Sequence, residues 1–142
     1  MSLVLDASLA LSWCFADEAS DVSAAALDAV VARGALAPPL WRIEVANALT
    51  SALRRKRIDA AFREASLADL AALPIALDAE TDSHVWSTTL RLADQHRLTV
   101  YDAIYLELAQ RRRLALATLD EALRAAARGC GVELFGAPSG RV

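Results

Sequence analysis

The chain predicts a three-layer α/β/α sandwich around a central, mainly parallel sheet of four to five strands. Three observations lead there. Short apolar runs alternate with longer stretches whose apolar side chains recur at helical spacing, and that alternation is the signature of strands joined by helical crossovers. Two of the runs end on an aspartate, Asp6 and Asp120, followed at once by helix-compatible sequence. Finally, the most apolar helical stretch, residues 100–113, lies between two such runs, as a crossover packed on a sheet would.

Leu3, Val4 and Leu5 form the first run, and helix-compatible residues fill 7–13. Val22, Ala26, Ala29 and Val30 repeat at helical spacing through 20–33, and Gly34 stops that helix. Residues 35–37 make a brief second strand before Pro38 and Pro39. A long helix is expected over 40–55, with Trp41, Val45, Ala48, Leu49 and Ala52 on one apolar face. Residues 59–73 read as another helix, which Pro74 ends, and 75–77 as a third strand. Thr81 is positioned to cap a helix whose Val85, Trp86, Thr89, Leu90 and Ala93 share a face, closed by His96 and Arg97.

The helix from Val100 is apolar almost all round as far as Ala109, with only Glu107 interrupting, so it belongs in a core. Arg111, Arg112 and Arg113 end it with the charge its dipole favours. Residues 114–117 form a buried strand that runs into Thr118, Leu119 and Asp120. A last helix reaches Arg128, and 132–135 is expected as an edge strand. One domain spans residues 1–135, and 136–142 reads as a loose tail.

Eighteen acids and fifteen bases in 142 residues give a net charge of −3, not the basic balance of a non-specific nucleic-acid binder. The bases are uneven, however. Arg54, Arg55, Lys56 and Arg57 form one block and Arg111, Arg112 and Arg113 another, each a local patch that attracts phosphate or else a solvated helix end. No run approaches the ~20 apolar residues of a membrane span, and the start carries no basic leader, so a cytoplasmic protein is expected with no membrane partner. Cys14 and Cys130 stand far apart, with no second cysteine or histidine at ligand spacing. They read as packing residues.

Each acid has an ordinary role beside its chemical one. Asp6 suits a helix N-cap; Thr99-x-x-Asp102 and Thr118-x-x-Glu121 both fit the capping box. Glu44 is harder to explain away. No charge occurs from Val45 to Leu53 and no base stands one helical turn away, so an unpaired carboxylate there is costly unless it is protonated or coordinates a metal. Asp78, Glu80 and Asp82 read as solvated acids near a helix start; a calcium loop would need a glycine turn and a distal glutamate.

Two strand-end aspartates, a helix-start aspartate and an unpaired helix glutamate can converge at one sheet edge. At about 5 Å and an effective dielectric of about 20, two such charges repel by roughly 3 kcal/mol. The cluster therefore needs a counter-ion. Oxygen-only ligation suits Mg²⁺, or Mn²⁺, rather than zinc, and such an ion serves hydrolysis of phosphate esters.

The stretches LVLDASLALSWCFADE, PPLWRIEVANAL and YDAIYLELAQRRRLALATLDEAL, in this order and spacing, resemble a PIN-domain ribonuclease, specifically the VapC-like toxin of a toxin-antitoxin pair. The resemblance implies a catalytic quartet of Asp6, Glu44, Asp102 and Asp120, with Asp6 and Asp102 as the direct ligands of Mg²⁺. Ser8 and Thr118 become supporting hydroxyls, and the two basic blocks become RNA contacts. It further implies a metal-dependent endoribonuclease that cuts structured RNA such as transfer RNA, works as a homodimer and is blocked by a cognate antitoxin. Apolar surface for that antitoxin is expected near Trp13 and Phe15.

Other readings are separable. A phosphoacceptor receiver domain wants adjacent acids after the first strand and a lysine after the last, whereas Ala7 and Ser8 follow Asp6 and the lone lysine is Lys56. A haloacid-dehalogenase-like phosphatase wants Asp-x-Asp, and position 8 is serine. A non-catalytic RNA- or protein-binding module of the same fold is the remaining alternative, with the acids serving as caps.

Overall fold

The computed structural model describes residues 2–136. Strands β1 (Leu3–Leu5), β2 (Ala35–Ala37), β3 (Ile75–Leu77) and β4 (Ala115–Ala117) form one parallel sheet in the order β3-β2-β1-β4. Val4 sits between Leu36 and Leu116 across the two central ladders. Eight of these strand positions hold alanine, valine or leucine at no more than 2% exposure, so burial on both faces overrides alanine's weak strand propensity.

The chain steps from β1 to β2 to β3 in one direction and then returns past β1 to β4. Right-handed crossovers consequently put α1 (Ala7–Ser12), α2 (Asp21–Arg33), α3 (Leu40–Arg54) and α4 (Ala60–Ala71) on one face. The opposite face receives α5 (Thr81–His84), α6 (Leu90–His96) and α7 (Val100–Arg112), and α8 (Glu121–Gly129) follows β4. The reversal separates the connections leaving β1 and β4, which opens a crevice at their carboxyl ends.

Local chemistry sets the limits of these elements. Ser20 and Ser23 form a reciprocal capping box at the start of α2, and Asp59 accepts the Phe62 N–H at 2.8 Å to start α4. Gly34 has φ +77°, and a Cβ there would stand 3.0 Å from the Pro74 carbonyl oxygen, which itself accepts the Ala35 N–H. Only glycine allows β2 to begin so close to the turn before β3. Helix α7 is buried continuously from Ala103 to Ala109 and packs on β1 and β4 between α6 and α8.

The expected helices and first four strands form within a few residues of the predicted limits, but four expectations are corrected. Residues 132–135 are not a strand; one bridge, Leu116 to Leu134, is all that pairs there. Between α5 and α6 a π-helical turn, Val85–Thr89, shifts the helical register, so Trp86 leaves the shared face and is 90% exposed while Thr89 and Ala93 are buried. Asp78 is buried instead of solvated: Arg111 reaches it at 2.8 Å and also holds Glu107 at 2.7 Å. Phe15 is buried beneath the Arg57 guanidinium, 4.2 Å from its ring centre, and the Trp13 indole N–H donates to the Ser23 carbonyl at 2.7 Å. Of the expected loose tail, residues 137–142 lie outside the described residues.

Candidate functional site

Asp6 leaves β1 in an extended conformation and caps α1, its Oδ1 accepting the Ser8 N–H at 3.3 Å. The Ser8 hydroxyl donates to Asp6 Oδ2 at 2.8 Å, and the Thr118 hydroxyl, from the end of β4, donates to the same oxygen. In return Ser8 Oγ accepts the Leu119 N–H and Thr118 Oγ1 the Asp120 N–H, both at 3.0 Å. Two short hydroxyl side chains thus bind the carboxyl ends of β1 and β4 into one unit. Asp120, not Thr118, caps α8, accepting the Leu123 N–H at 2.9 Å.

Asp102 enters from the first turn of α7, where the Thr99 hydroxyl accepts its backbone N–H at 3.1 Å. Glu44 enters from the second turn of α3. The hydroxyl of Tyr105, a wholly buried residue of α7, donates to Glu44 Oε1 at 2.5 Å. All four sequence-predicted acids line one cavity of about 310 Å³, together with Ser8 and Asn47.

Burial raises the Asp6 carboxyl above its ordinary range, opposed by the Thr118 and Ser8 hydrogen bonds and assisted by the charge of Asp120. Glu44 is raised by burial, opposed by Tyr105 and assisted by Asp6 and Asp102. Asp102 is raised by burial and by Asp120 and Asp6. Each of the three therefore feels the negative charge of at least one other acid of the four. Tyr105 is pushed far above the usual phenol range by burial and by Glu44, so it remains a donor.

No base lines this cavity among the described residues, and the neighbouring Arg124 is spent on the Thr118 carbonyl at 3.0 Å. The donor set fits a hard divalent cation: oxygen only, acidic and partly desolvated. Among the described residues no group of three or more His, Cys, Asp or Glu side chains is drawn together tightly enough to hold an ion alone. Larger cavities of about 540 and 460 Å³ lie between apolar helix faces and lack such convergent groups.

The basic residues divide. Arg57 is engaged by Asp17 at 2.8 Å and covers Phe15; Arg111 is committed to Glu107 and Asp78; Arg112 lies 3.9 Å from Asp78. Arg57 and Arg111 are thus each already paired with carboxylates. Arg113 ends α7 with φ 57°, and Arg55 and Lys56 are exposed at the end of α3. Arg54 lines an open cavity of about 440 Å³ with Arg42, Asn47 and Thr50, and Asn47 joins that cavity to the acidic one. Arg42, Asn47 and Tyr105 escape a reading of the sequence. Asn47 stands three residues from Glu44, and Tyr105 three from Asp102, a spacing that puts each pair on one helix face.

No helix among the described residues is long and apolar enough to cross a membrane. Among curated proteins, no match to this sequence is found. Among solved structures, the chain is similar to the crystal structure of PAE2754 from Pyrobaculum aerophilum, at 25% identity over 89% of this chain and 84% of that one, with a TM-score of 0.66. The PIN domain model matches residues 3–129, from β1 to the end of α8, a span that holds all four acids. The chain belongs to the PIN domain family, whose members are generally nucleases and typically bind divalent metals.

Proposed function

We propose that this protein is a metal-dependent endoribonuclease and the VapC-like toxin of a toxin-antitoxin pair. The observation that carries the reading is the single cavity onto which Asp6, Glu44, Asp102 and Asp120 all open without a neutralising base among the described residues. Asp6 and Asp102 would hold Mg²⁺ or Mn²⁺, which when bound supplies charge neutralisation at the phosphodiester and lowers the pKa of water.

The chain's own residues supply the rest. Ser8 and Thr118 fix the Asp6 carboxylate by donating to Oδ2. Tyr105 occupies Glu44 Oε1, which leaves Oε2 to accept a proton from the attacking water. Asp120 orients that water from the β4 side. RNA reaches the cavity along the outer face of α3, where Arg42 and Arg54 meet its phosphates and Asn47 stands at the junction. The substrate is structured RNA such as transfer RNA, and the active form is a homodimer, as the family resemblance implies. A cognate antitoxin lays apolar side chains into the cleft of about 460 Å³ lined by Trp13, Leu27, Val31 and Phe62, where Val31 is 61% and Phe62 40% exposed.

The test is cleavage of RNA by purified protein in Mg²⁺ or Mn²⁺, with Asp6→Asn and chelator as controls. Internal cuts that need both the metal and Asp6 support the nuclease. RNA binding without cleavage favours the non-catalytic module. Growth arrest on expression, relieved by the product of an adjacent small gene, tests the toxin role.

A further inference from the structure

We infer that Tyr105 is the positioning residue that sets the spacing of the carboxylates around the bound cation, acting through Glu44. Among the described residues its phenol is the one neutral donor that reaches Glu44, at 2.5 Å and across 61 positions of sequence. Asp102 lies three residues before Tyr105 on α7. A single side chain thereby ties α3, which carries Glu44, to α7, which carries Asp102.

A buried tyrosine needs a partner for its hydroxyl, and satisfaction alone would be met by any nearby carbonyl. Here the partner is a half-buried carboxylate that its acidic neighbours repel and that has solvent to turn towards. The hydrogen bond opposes that turn. It holds Oε1 inward and leaves only Oε2 uncommitted, so Glu44 faces the hydrated ion held by Asp6 and Asp102 in one orientation. Outer partners of this kind fix the direction of a metal-site carboxylate, and their loss weakens metal binding by roughly 10–100-fold.

This inference rests on the metal-dependent reading of the same site. Tyr105→Phe retains the ring and removes the hydroxyl. Mn²⁺ titration by calorimetry, without RNA, should show affinity reduced by about tenfold or more. Turnover should fall while the RNA KM stays within about twofold, since no substrate contact is removed. In the Glu44→Ala background, which removes the acceptor of the phenol, Tyr105→Phe should add no further loss of Mn²⁺ affinity, because the two act in series.

Unchanged Mn²⁺ affinity in Tyr105→Phe, even with lowered thermal stability, overturns the inference, as do losses that add in the double variant. If Tyr105→Phe does not fold, Glu44→Asp takes its place. Shortening the carboxylate by one methylene draws it out of reach of the phenol and should reproduce the loss, and wild-type affinity there overturns the inference. A wild-type protein that binds no Mn²⁺ sinks the metal-dependent reading itself, a result distinct from equal binding by wild type and variant.

Discussion

Arg111 and Asp78 meet at 2.8 Å below the surface, an ion pair that joins the last turn of α7 to the chain leaving β3. The same guanidinium holds Glu107 at 2.7 Å, so one arginine neutralises two acids that are each 3% exposed. Burial pushes the Asp78 carboxyl up, but hydrogen bonds from Arg111 and Thr81 and the Arg111 charge outweigh it and hold it below its ordinary range.

Arg111→Met should therefore cost roughly 3–5 kcal/mol at neutral pH, because it strands two buried carboxylates. A depressed carboxyl pKa means that the unfolded chain binds more protons than the folded one between the two pKa values. The Asp78 contribution is whole above the unfolded value of about 3.9 and is lost as pH falls through the lower folded value. Urea unfolding from pH 7 down to pH 2 should show wild type losing stability below about pH 4 and the gap to Arg111→Met narrowing there. A gap of constant size would mean that Asp78 is not the titrating partner.

Asp102→Asn should abolish RNA cleavage while leaving the melting temperature in metal-free buffer unchanged or raised. The substitution removes a charge that Asp120 and Asp6 repel, and the Thr99 cap depends on the backbone N–H, which it leaves in place. Adding Mg²⁺ should then raise the melting temperature of wild type more than that of the variant, since only a ligand that binds the folded state stabilises it. A large drop in melting temperature without metal would instead identify Asp102 as a structural cap.

Arg54→Ala should weaken RNA binding and reduce the slope of log K against log salt by about 0.7, the loss of one phosphate contact with a single strand. Arg57→Ala should leave that slope unchanged, because Asp17 and Phe15 already engage its guanidinium, and should cost less than about 1 kcal/mol of stability. Fluorescence anisotropy in metal-free buffer across a salt series separates the two.

The buried-run and helix pattern, the strand-end aspartates and the isolation of Glu44 in an uncharged stretch are properties of local sequence. They sufficed for the fold class, for most element limits and for the expectation that four acids share one cavity, since periodicity and the absence of a nearby counter-charge can be read without coordinates. Trp86 shows the limit of that reading: a π-helical turn adds one residue to the repeat, and the face assigned by a 3.6-residue period is lost beyond it.

Only the tertiary structure decided which charges were already spoken for. Arg111 and Arg57 look like their neighbours in sequence, yet each is paired with an acid 33 or 40 positions away. Long-range pairing also selected Tyr105 from a mostly apolar helix as the donor to Glu44 and joined Thr118 to Asp6 across 112 positions. The sequence by itself determined which side chains are able to carry charge into the core. Their pairing was decided by chain reversal beyond β1, because hydrogen bonds and ion pairs act over a few ångströms and only folding brings distant residues within that range.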